Sequence, residues 1–168
     1  MGRVIRLKPD YTNKHEKAAA LIAVKGHPLY TFTQENNALS ELIEQVRASG
    51  EIEAIRGISV HYAKKGDLLY PLLKAKYDIA GPSDLMWTDD DEIRDEISAL
   101  AKEAERGENW KKRLNAVIDK AEQMIVKDQR VLFPICAVNF TEDEWKGIYL
   151  DSKAYGWLKS SAPIRIIK

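Results

Sequence analysis

An internal duplication constrains this chain more than any other feature of its sequence. The segment His61–Pro71 aligns without a gap on the segment Met124–Pro134. The alignment pairs Lys64 with Lys127, Leu69 with Leu132, Tyr70 with Phe133, and Pro71 with Pro134. The stretch before each copy matches as well, because Phe32–Glu35 aligns on Trp87–Asp90. We therefore expect two helix hairpins related by a pseudo-twofold axis, with equivalent side chains facing one another near it.

Apolar residues recur at helical spacing in both halves of the chain. The first long stripe, over residues 33–49, consists of Ala38, Leu39, Leu42, Ile43 and Val46. Similar stripes predict helices over residues 51–77, 88–107, 110–138 and 141–155, and an Ala-rich short helix is expected over 13–24. Pro71 should kink or close the second of these helices. Short connections marked by glycine favour an all-α fold, an antiparallel up-and-down four-helix bundle with short extra helices at both ends.

Local signals predict where some of these elements begin and end. Thr88, followed by the acidic run 89–92, is predicted to cap the N-terminus of the third long helix, and Gly107 is predicted to end it. Residues 3–7 and 163–167 alternate or run apolar, as short β-strands do. These two tails could pair with each other or across a dimer, or they could be frayed termini.

The composition narrows the functional classes. The 26 Lys and Arg residues balance 26 Asp and Glu residues, which argues against a nucleic-acid binder driven by counterion release. A single cysteine, Cys136, excludes an intramolecular disulfide and a cysteine-based zinc cluster. No targeting or membrane-spanning segment is predicted, so we expect a soluble cytoplasmic protein without membrane partners. The 3 histidines leave room for only a small metal site.

Short motifs follow one another in a specific order from Gly26 to Trp157. They are Gly26-His27-Pro28, Thr31-Phe32, Glu35-Asn36, His61-Tyr62, Leu68–Pro71, Gly81-Pro82, Met86-Trp87, Asp91–Arg94, Met124-Ile125, Leu132–Pro134 and Glu144-Trp145. Together they resemble the hemerythrin-like (HHE cation-binding) family, and most closely the branch often attached to PAS sensor domains. The resemblance implies a bundle over residues 26–158, an N-terminal extension with a short helix over 1–25, and a C-terminal tail over 159–168.

The resemblance also implies a non-haem iron centre of one or two ions inside the bundle. Imidazoles and carboxylates on facing helices are suitable ligands for iron. The candidate metal ligands at matching positions are His27, Glu35, His61, Asp90 and Asp128. Both histidines belong to the first half of the repeat, and the second half contributes none.

The sequence departs from the family pattern at several of these positions. Lys65 and Gly66 stand where a carboxylate is expected after His61, and the next acid, Asp67, should point elsewhere. Asp90 occupies a position where the family commonly has histidine, and Met124 replaces a histidine of the classical pattern. A full di-iron centre is therefore not expected, and the site should hold one metal or none.

Three functions are compatible with these sequence features. The first is a metal-binding protein for O₂, nitric oxide or redox sensing, or for iron handling. The second is a metal-free binding or sensor module whose core is closed by pairs among His61, Glu35 and Asp90. The third is a haem-binding bundle in which Met124 and His61 ligate the iron. An enzymatic function has no direct support, the expected partner is a metal ion or small ligand, and a homodimer is allowed.

Three lysines near the candidate ligands have two interpretations. Lys64, Lys65 and Lys127 are expected at the surface, as most lysines are. Alternatively, they could neutralise carboxylates that point into the bundle, since a buried carboxylate needs a partner. Glu35 and Asp90, if they point inward, require an imidazolium, a lysine or a metal ion.

Overall fold

The computed structural model describes residues 10–156, and all regular structure in that range is helical. Eight α-helical segments form six helices in this range, because two π-helical turns each join a pair of segments. Their bounds are α1 Lys14–Ile22, α2 Pro28–Ser49, α3 Ile58–Lys64 joined through a π turn at Lys65–Leu69 to α4 Tyr70–Tyr77, α5 Pro82–Lys102, α6 Glu108–Lys127 joined through a π turn at Asp128–Leu132 to α7 Phe133–Asn139, and α8 Glu142–Ser152. Two 3-10 turns, Tyr11–Asn13 and Ile52–Ile55, complete the described structure.

The helix ends follow from residues with special backbone properties. Pro28 begins α2, where its missing N–H is not needed. Gly50 ends α2 in the left-handed conformation, with φ 71°. Thr141 begins α8 with a capping box, in which its hydroxyl accepts from the Glu144 N–H while the Glu144 carboxylate accepts from the Thr141 N–H.

The two π turns occupy equivalent positions in the sequence repeat. Each ends just before a proline, Pro71 or Pro134, which has no N–H to donate to the preceding helical turn. The N–H of Tyr70 donates to the Lys65 carbonyl, five residues back, and the N–H of Phe133 donates to the Asp128 carbonyl in the same way. The repeat therefore fixes the same local distortion in both halves.

An apolar core surrounds these turns. Helix α2 packs against α6, α5 packs against α6, and α1 packs against α7. Fully buried side chains from both halves of the repeat, such as Leu69, Leu132 and Phe133, contribute to the same cluster. None of the helices within residues 10–156 has the length and apolar character that crossing a membrane requires.

Several expected boundaries were wrong. Helix α5 begins at Pro82, so Thr88 lies inside it and donates its hydroxyl hydrogen to the Asp84 carbonyl instead of capping the helix. Gly107 precedes the next helix, because α5 already ends at Lys102. The stretch predicted as one helix over 51–77 is divided by the 3-10 turn and the π turn. The strand-like tails at 3–7 and 163–167 lie outside the described residues.

The two threonines give a matched test of this assignment. Thr141→Ala should lower the free energy of unfolding by about 1 kcal/mol, because it removes an N-cap acceptor. Thr88→Ala should change it by less than about 0.5 kcal/mol, since the residue is exposed on a helix surface. Urea titrations of both variants measure the difference, and an equal loss in the two would contradict the observed boundaries.

Candidate functional site

A cluster of buried charged side chains lies in the middle of the bundle. It consists of six charged or ionisable residues: Glu35 on α2, His61 and Lys64 on α3, Lys65 and Asp128 on the two π turns, and Asp90 on α5. None of these residues is more than 2% exposed. We call this set the buried charge cluster. Because an unpaired charge in a core is very costly, each member must find its counter-charge within the set.

Lys65 lies between two carboxylates. Its Nζ atom is 2.9 Å from Asp90 Oδ2 and 2.7 Å from Asp128 Oδ1. The ammonium group also lies over the rings of Tyr62 and Tyr70, at 5.0 Å and 5.6 Å from their centroids. A single ammonium thus joins α5 to the second π turn and replaces the water that both carboxylates lose on folding.

His61 connects this half of the cluster to the other. Its Nδ1 atom lies 3.0 Å from Glu35 Oε1, and its Nε2 atom lies 3.4 Å from Asp128 Oδ2. The Lys64 ammonium donates to Glu35 Oε2 at 2.6 Å, and the Asn36 amide donates to Asp128 Oδ2 at 3.1 Å. Both imidazole nitrogens face carboxylates, an arrangement that favours the doubly protonated imidazolium.

Burial and charged partners shift the pKa values of His61 and of the three carboxyl groups in the buried charge cluster. Burial disfavours the charged form of His61, but its hydrogen bonds with Asp128 and Glu35 outweigh burial and raise its pKa. Burial also opposes ionisation of Glu35 and Asp128, yet their partners hold the pKa of each carboxyl below its usual value. Burial raises the pKa of Asp90 to about 6 despite the charge of Lys65. With His61 protonated, three carboxylates balance three cations.

Tyr70 completes the shell around Asp90. Its hydroxyl donates to Asp90 Oδ2 at 3.0 Å, and burial raises the pKa of this phenol. The indole of Trp87 stacks on the Tyr70 ring, with centroids 5.6 Å apart and planes inclined by 13°. Asp90 is therefore enclosed by an ammonium, a phenol and the stacked rings that support the phenol.

Gly66 marks the position where the resemblance implied a carboxylate. A Cβ atom added there would lie 3.3 Å from Nε1 of Trp87, so the indole covers this part of the first π turn. Asp67, the next acid, lies outside the buried charge cluster, as expected, and accepts from the Tyr155 hydroxyl in an exposed hydrogen bond at 2.5 Å. The first half of the repeat thus places no carboxylate of its π turn in the buried charge cluster.

The remaining predicted site residues lie elsewhere. His27 is the N-cap of α2, where its Nδ1 accepts from the Leu29 N–H at 3.0 Å and its ring packs on Trp145 at 4.6 Å. Burial lowers the pKa of this imidazole. Met124 is a buried core residue on α6, and Cys136 is a buried free thiol whose pKa burial raises. Of the five predicted metal ligands, four belong to the buried charge cluster and His27 does not.

The cluster does not fit a di-iron centre. A metal-bound histidine must offer a lone pair, whereas both nitrogens of His61 face carboxylates. The space between Asp90 and Asp128 contains the Lys65 ammonium. In the part of the chain from residue 10 to 156, no three His, Cys, Asp or Glu side chains are grouped as metal ligands.

The expected positions of the lysines need correction. Lys64 and Lys65 are buried and not at the surface, because the inward carboxylates require counter-charges. Lys127 is exposed as expected, and its Nζ lies 3.4 Å from Asp89 Oδ2. The repeat contained a signal for this arrangement, since its ungapped alignment pairs Lys65 with Asp128. Opposite charges at equivalent inward positions can neutralise one another across a pseudo-twofold axis.

The cluster predicts a characteristic dependence of stability on pH. The raised pKa values of His61 and Asp90 stabilise the fold at low pH, and this contribution disappears as the pH rises through their folded values. The lowered pKa values of Glu35 and Asp128 stabilise it above about pH 4, and this contribution disappears in acid. The free energy of unfolding should therefore be largest at about pH 4, decline as Asp90 loses its proton up to about pH 6, and decline further above about pH 6.5 as His61 loses its proton.

Chemical denaturation at a series of pH values measures this profile. His61→Asn should flatten the decline above about pH 6.5, because the group that loses its proton there is absent. His15→Asn, at an exposed site on α1, is the matched control and should leave the profile unchanged. A wild-type stability that increases between about pH 6 and 8 would contradict the assigned charges.

Comparison with known proteins agrees with this architecture. The family model of the hemerythrin HHE cation binding domain matches residues 27–136, which span both π turns and every member of the buried charge cluster. No curated protein matches the chain. The family description suggests binding of metal cations. The match covers well over half of the sequence, and the chain therefore belongs to the hemerythrin HHE cation-binding domain family.

Proposed function

We propose that this protein is a metal-free binding or sensor module built on an antiparallel four-helix hemerythrin bundle. In this proposal the lysine ammonium groups supply the positive charge that metal ions would otherwise provide. The observation that carries it is the position of Lys65, fully buried within 3 Å of both Asp90 and Asp128. The bundle would then transmit ligand or partner binding through a rigid, internally neutralised core.

Electrostatics supports this proposal. The buried charge cluster is neutral when His61 is protonated, so adding a divalent cation would leave an excess of two positive charges in the core. Like charges a few ångströms apart in a core repel by several kcal/mol even at an effective dielectric constant of about 20. A metal could enter only if Lys65 and His61 released protons or moved away. Binding by the native chain should therefore be weak near neutral pH.

The alternative is a single iron or another divalent metal held by Glu35, His61, Asp90 and Asp128. The family description favours it, and so does the contact of two carboxylates, those of Glu35 and Asp128, with the His61 imidazole. Under this alternative the domain would act in O₂, nitric oxide or redox sensing, or in iron handling. A haem bound through Met124, a homodimer and a cytoplasmic location likewise stay predictions.

Elemental analysis of the purified chain separates the two functions. Protein from iron-supplemented cells, and apoprotein reconstituted with Fe(II), should both contain far less than one metal ion per chain. Lys65→Met should lose about 3–5 kcal/mol of stability, because two buried carboxylates lose their ammonium partner. The same variant should bind a divalent cation and recover part of that stability by mass action.

Lys127→Met is the matched control, since Lys127 occupies the exposed position equivalent to Lys64 in the repeat. This variant should lose less than about 1 kcal/mol in free energy of unfolding and should bind no metal ion. Near-stoichiometric iron in the wild-type chain would overturn the metal-free proposal in favour of the mononuclear alternative. Failure of Lys65→Met to bind a cation would show that Lys65 does not occupy a cation position.

A further inference from the structure

A small cavity lies where the beginning of α3 meets the middle of α5, and no member of the buried charge cluster lines it. It measures about 90 Å³. Its lining residues are basic, hydroxyl-bearing or apolar: Arg56, Ile58, Ser59, Arg94, Ile97 and Ser98. This volume is well below the roughly 300 Å³ at which sites for whole small molecules begin, but it has room for a few water molecules. The cavity therefore fits a single small polar group.

Two arginines give this cavity a positively charged wall, and among the described residues no acid lines it. Arg56 is exposed, and its guanidinium forms no ion pair or hydrogen bond with any residue from 10 to 156. Glu53, the nearest acid before it in the chain, is held instead by Arg106 at 2.6 Å. Arg94 donates to Asp91 at 3.0 Å, but this pair is exposed and therefore weak. Both guanidinium groups are thus available to an anion.

Two serine hydroxyls add neutral donors beside the arginines. Ser59 lies on α3, and Ser98 lies one helical turn after Arg94 on α5. Neither hydroxyl has a hydrogen-bond partner in the part of the chain that the structure describes. A hydroxyl donates one hydrogen bond to an anion, and a guanidinium donates two parallel bonds to neighbouring oxygens. Because these donors come from separate helices, an anion with oxygens directed to several sides can use them together.

We propose that this cavity binds a tetrahedral oxyanion of the phosphate class, either as a free ion or as the head group of a phosphomonoester. Arg56 and Arg94 donate to its oxygens, and the hydroxyls of Ser59 and Ser98 complete the set of donors. The planar guanidinium group matches the oxygen spacing of phosphate and keeps its charge at any physiological pH. This inference rests on the proposed binding or sensor function, because it names a ligand class for that module.

The position of the cavity connects a bound anion to the buried charge cluster through two helices. Ser59 precedes His61 by two residues on α3, and Arg94 follows Asp90 by one helical turn on α5. An anion that contacts both helices holds them together, and it binds the folded chain but not the unfolded one. Inorganic phosphate should therefore raise the melting temperature of the wild-type chain by mass action.

Calorimetric titration of the full chain with inorganic phosphate, glycerol 3-phosphate and acetate, at neutral pH and constant ionic strength, tests the site. Phosphate should bind saturably, one ion per chain, and acetate, a planar anion with two oxygens, at least about tenfold more weakly. Tighter binding of glycerol 3-phosphate than of phosphate supports a phosphomonoester as the source of the anion, and weaker binding supports the free ion.

Arg56→Gln isolates one proposed contact, because this exposed side chain can be replaced without opening the core. The variant should bind phosphate about tenfold more weakly, the loss expected for a charge-assisted hydrogen bond. Ser98→Asp places a carboxylate in the cavity wall and should weaken binding at least as much, since like charges repel. Arg130→Gln, at an exposed position on the second π turn, removes the same charge elsewhere and should leave phosphate binding unchanged.

Absence of saturable phosphate binding overturns the inference, as does equal affinity for acetate or an equal effect of Arg56→Gln and Arg130→Gln. Each of these results leaves the metal-free proposal standing, because the metal content of the chain decides that proposal. Conversely, stoichiometric iron in the wild-type chain would refute the metal-free core without changing the phosphate affinity of the apoprotein.

Discussion

The ion pairs of the Lys65 ammonium are the interaction on which the centre of this structure depends. Asp90 and Asp128 come from different helices and cannot stay ionised in a core without a counter-charge. Breaking such a buried pair costs several kcal/mol, whereas the intact pair adds little beyond an apolar replacement. The main effect of the ammonium is thus to fix which turns of the helices face each other, and its net contribution to the free energy of unfolding is smaller.

The repeat explains how this arrangement is built. The ungapped alignment places Lys65 and Asp128 at equivalent positions, each at the start of a π turn that ends before a proline. Both residues are fully buried, and their opposite charges attract. One half of the repeat therefore contributes a cation at the position where the other half contributes a carboxylate, and the two form an ion pair.

The sequence predicted the helical fold, most residues of the candidate site and, as one alternative, the pairing of His61 with Glu35, but it favoured a surface position for the lysines. Apolar periodicity and the repeat identified the helices, and family motifs identified Glu35, His61, Asp90 and Asp128. The burial of Lys65 was not the favoured prediction, because helical spacing alone does not distinguish a solvated lysine from a buried one. Asp90 also belonged to an acidic run typical of a helix N-terminus, whereas the N-terminus of α5 lies at Pro82. Long-range charge pairing decides these positions, and local patterns do not contain it.

The charged ammonium group of Lys65 occupies the space between Asp90 and Asp128. Side-chain ¹⁵N spectroscopy of the Lys65 amine as a function of pH reports whether this group is protonated. Burial alone would lower the pKa of this lysine, but the charges of Asp128 and Asp90 outweigh burial and raise it. We predict an ammonium signal, protected from exchange, that persists above pH 10.5, the usual lysine value. A neutral amine near pH 7, the behaviour of a buried lysine without partners, would show that Lys65 does not form these ion pairs.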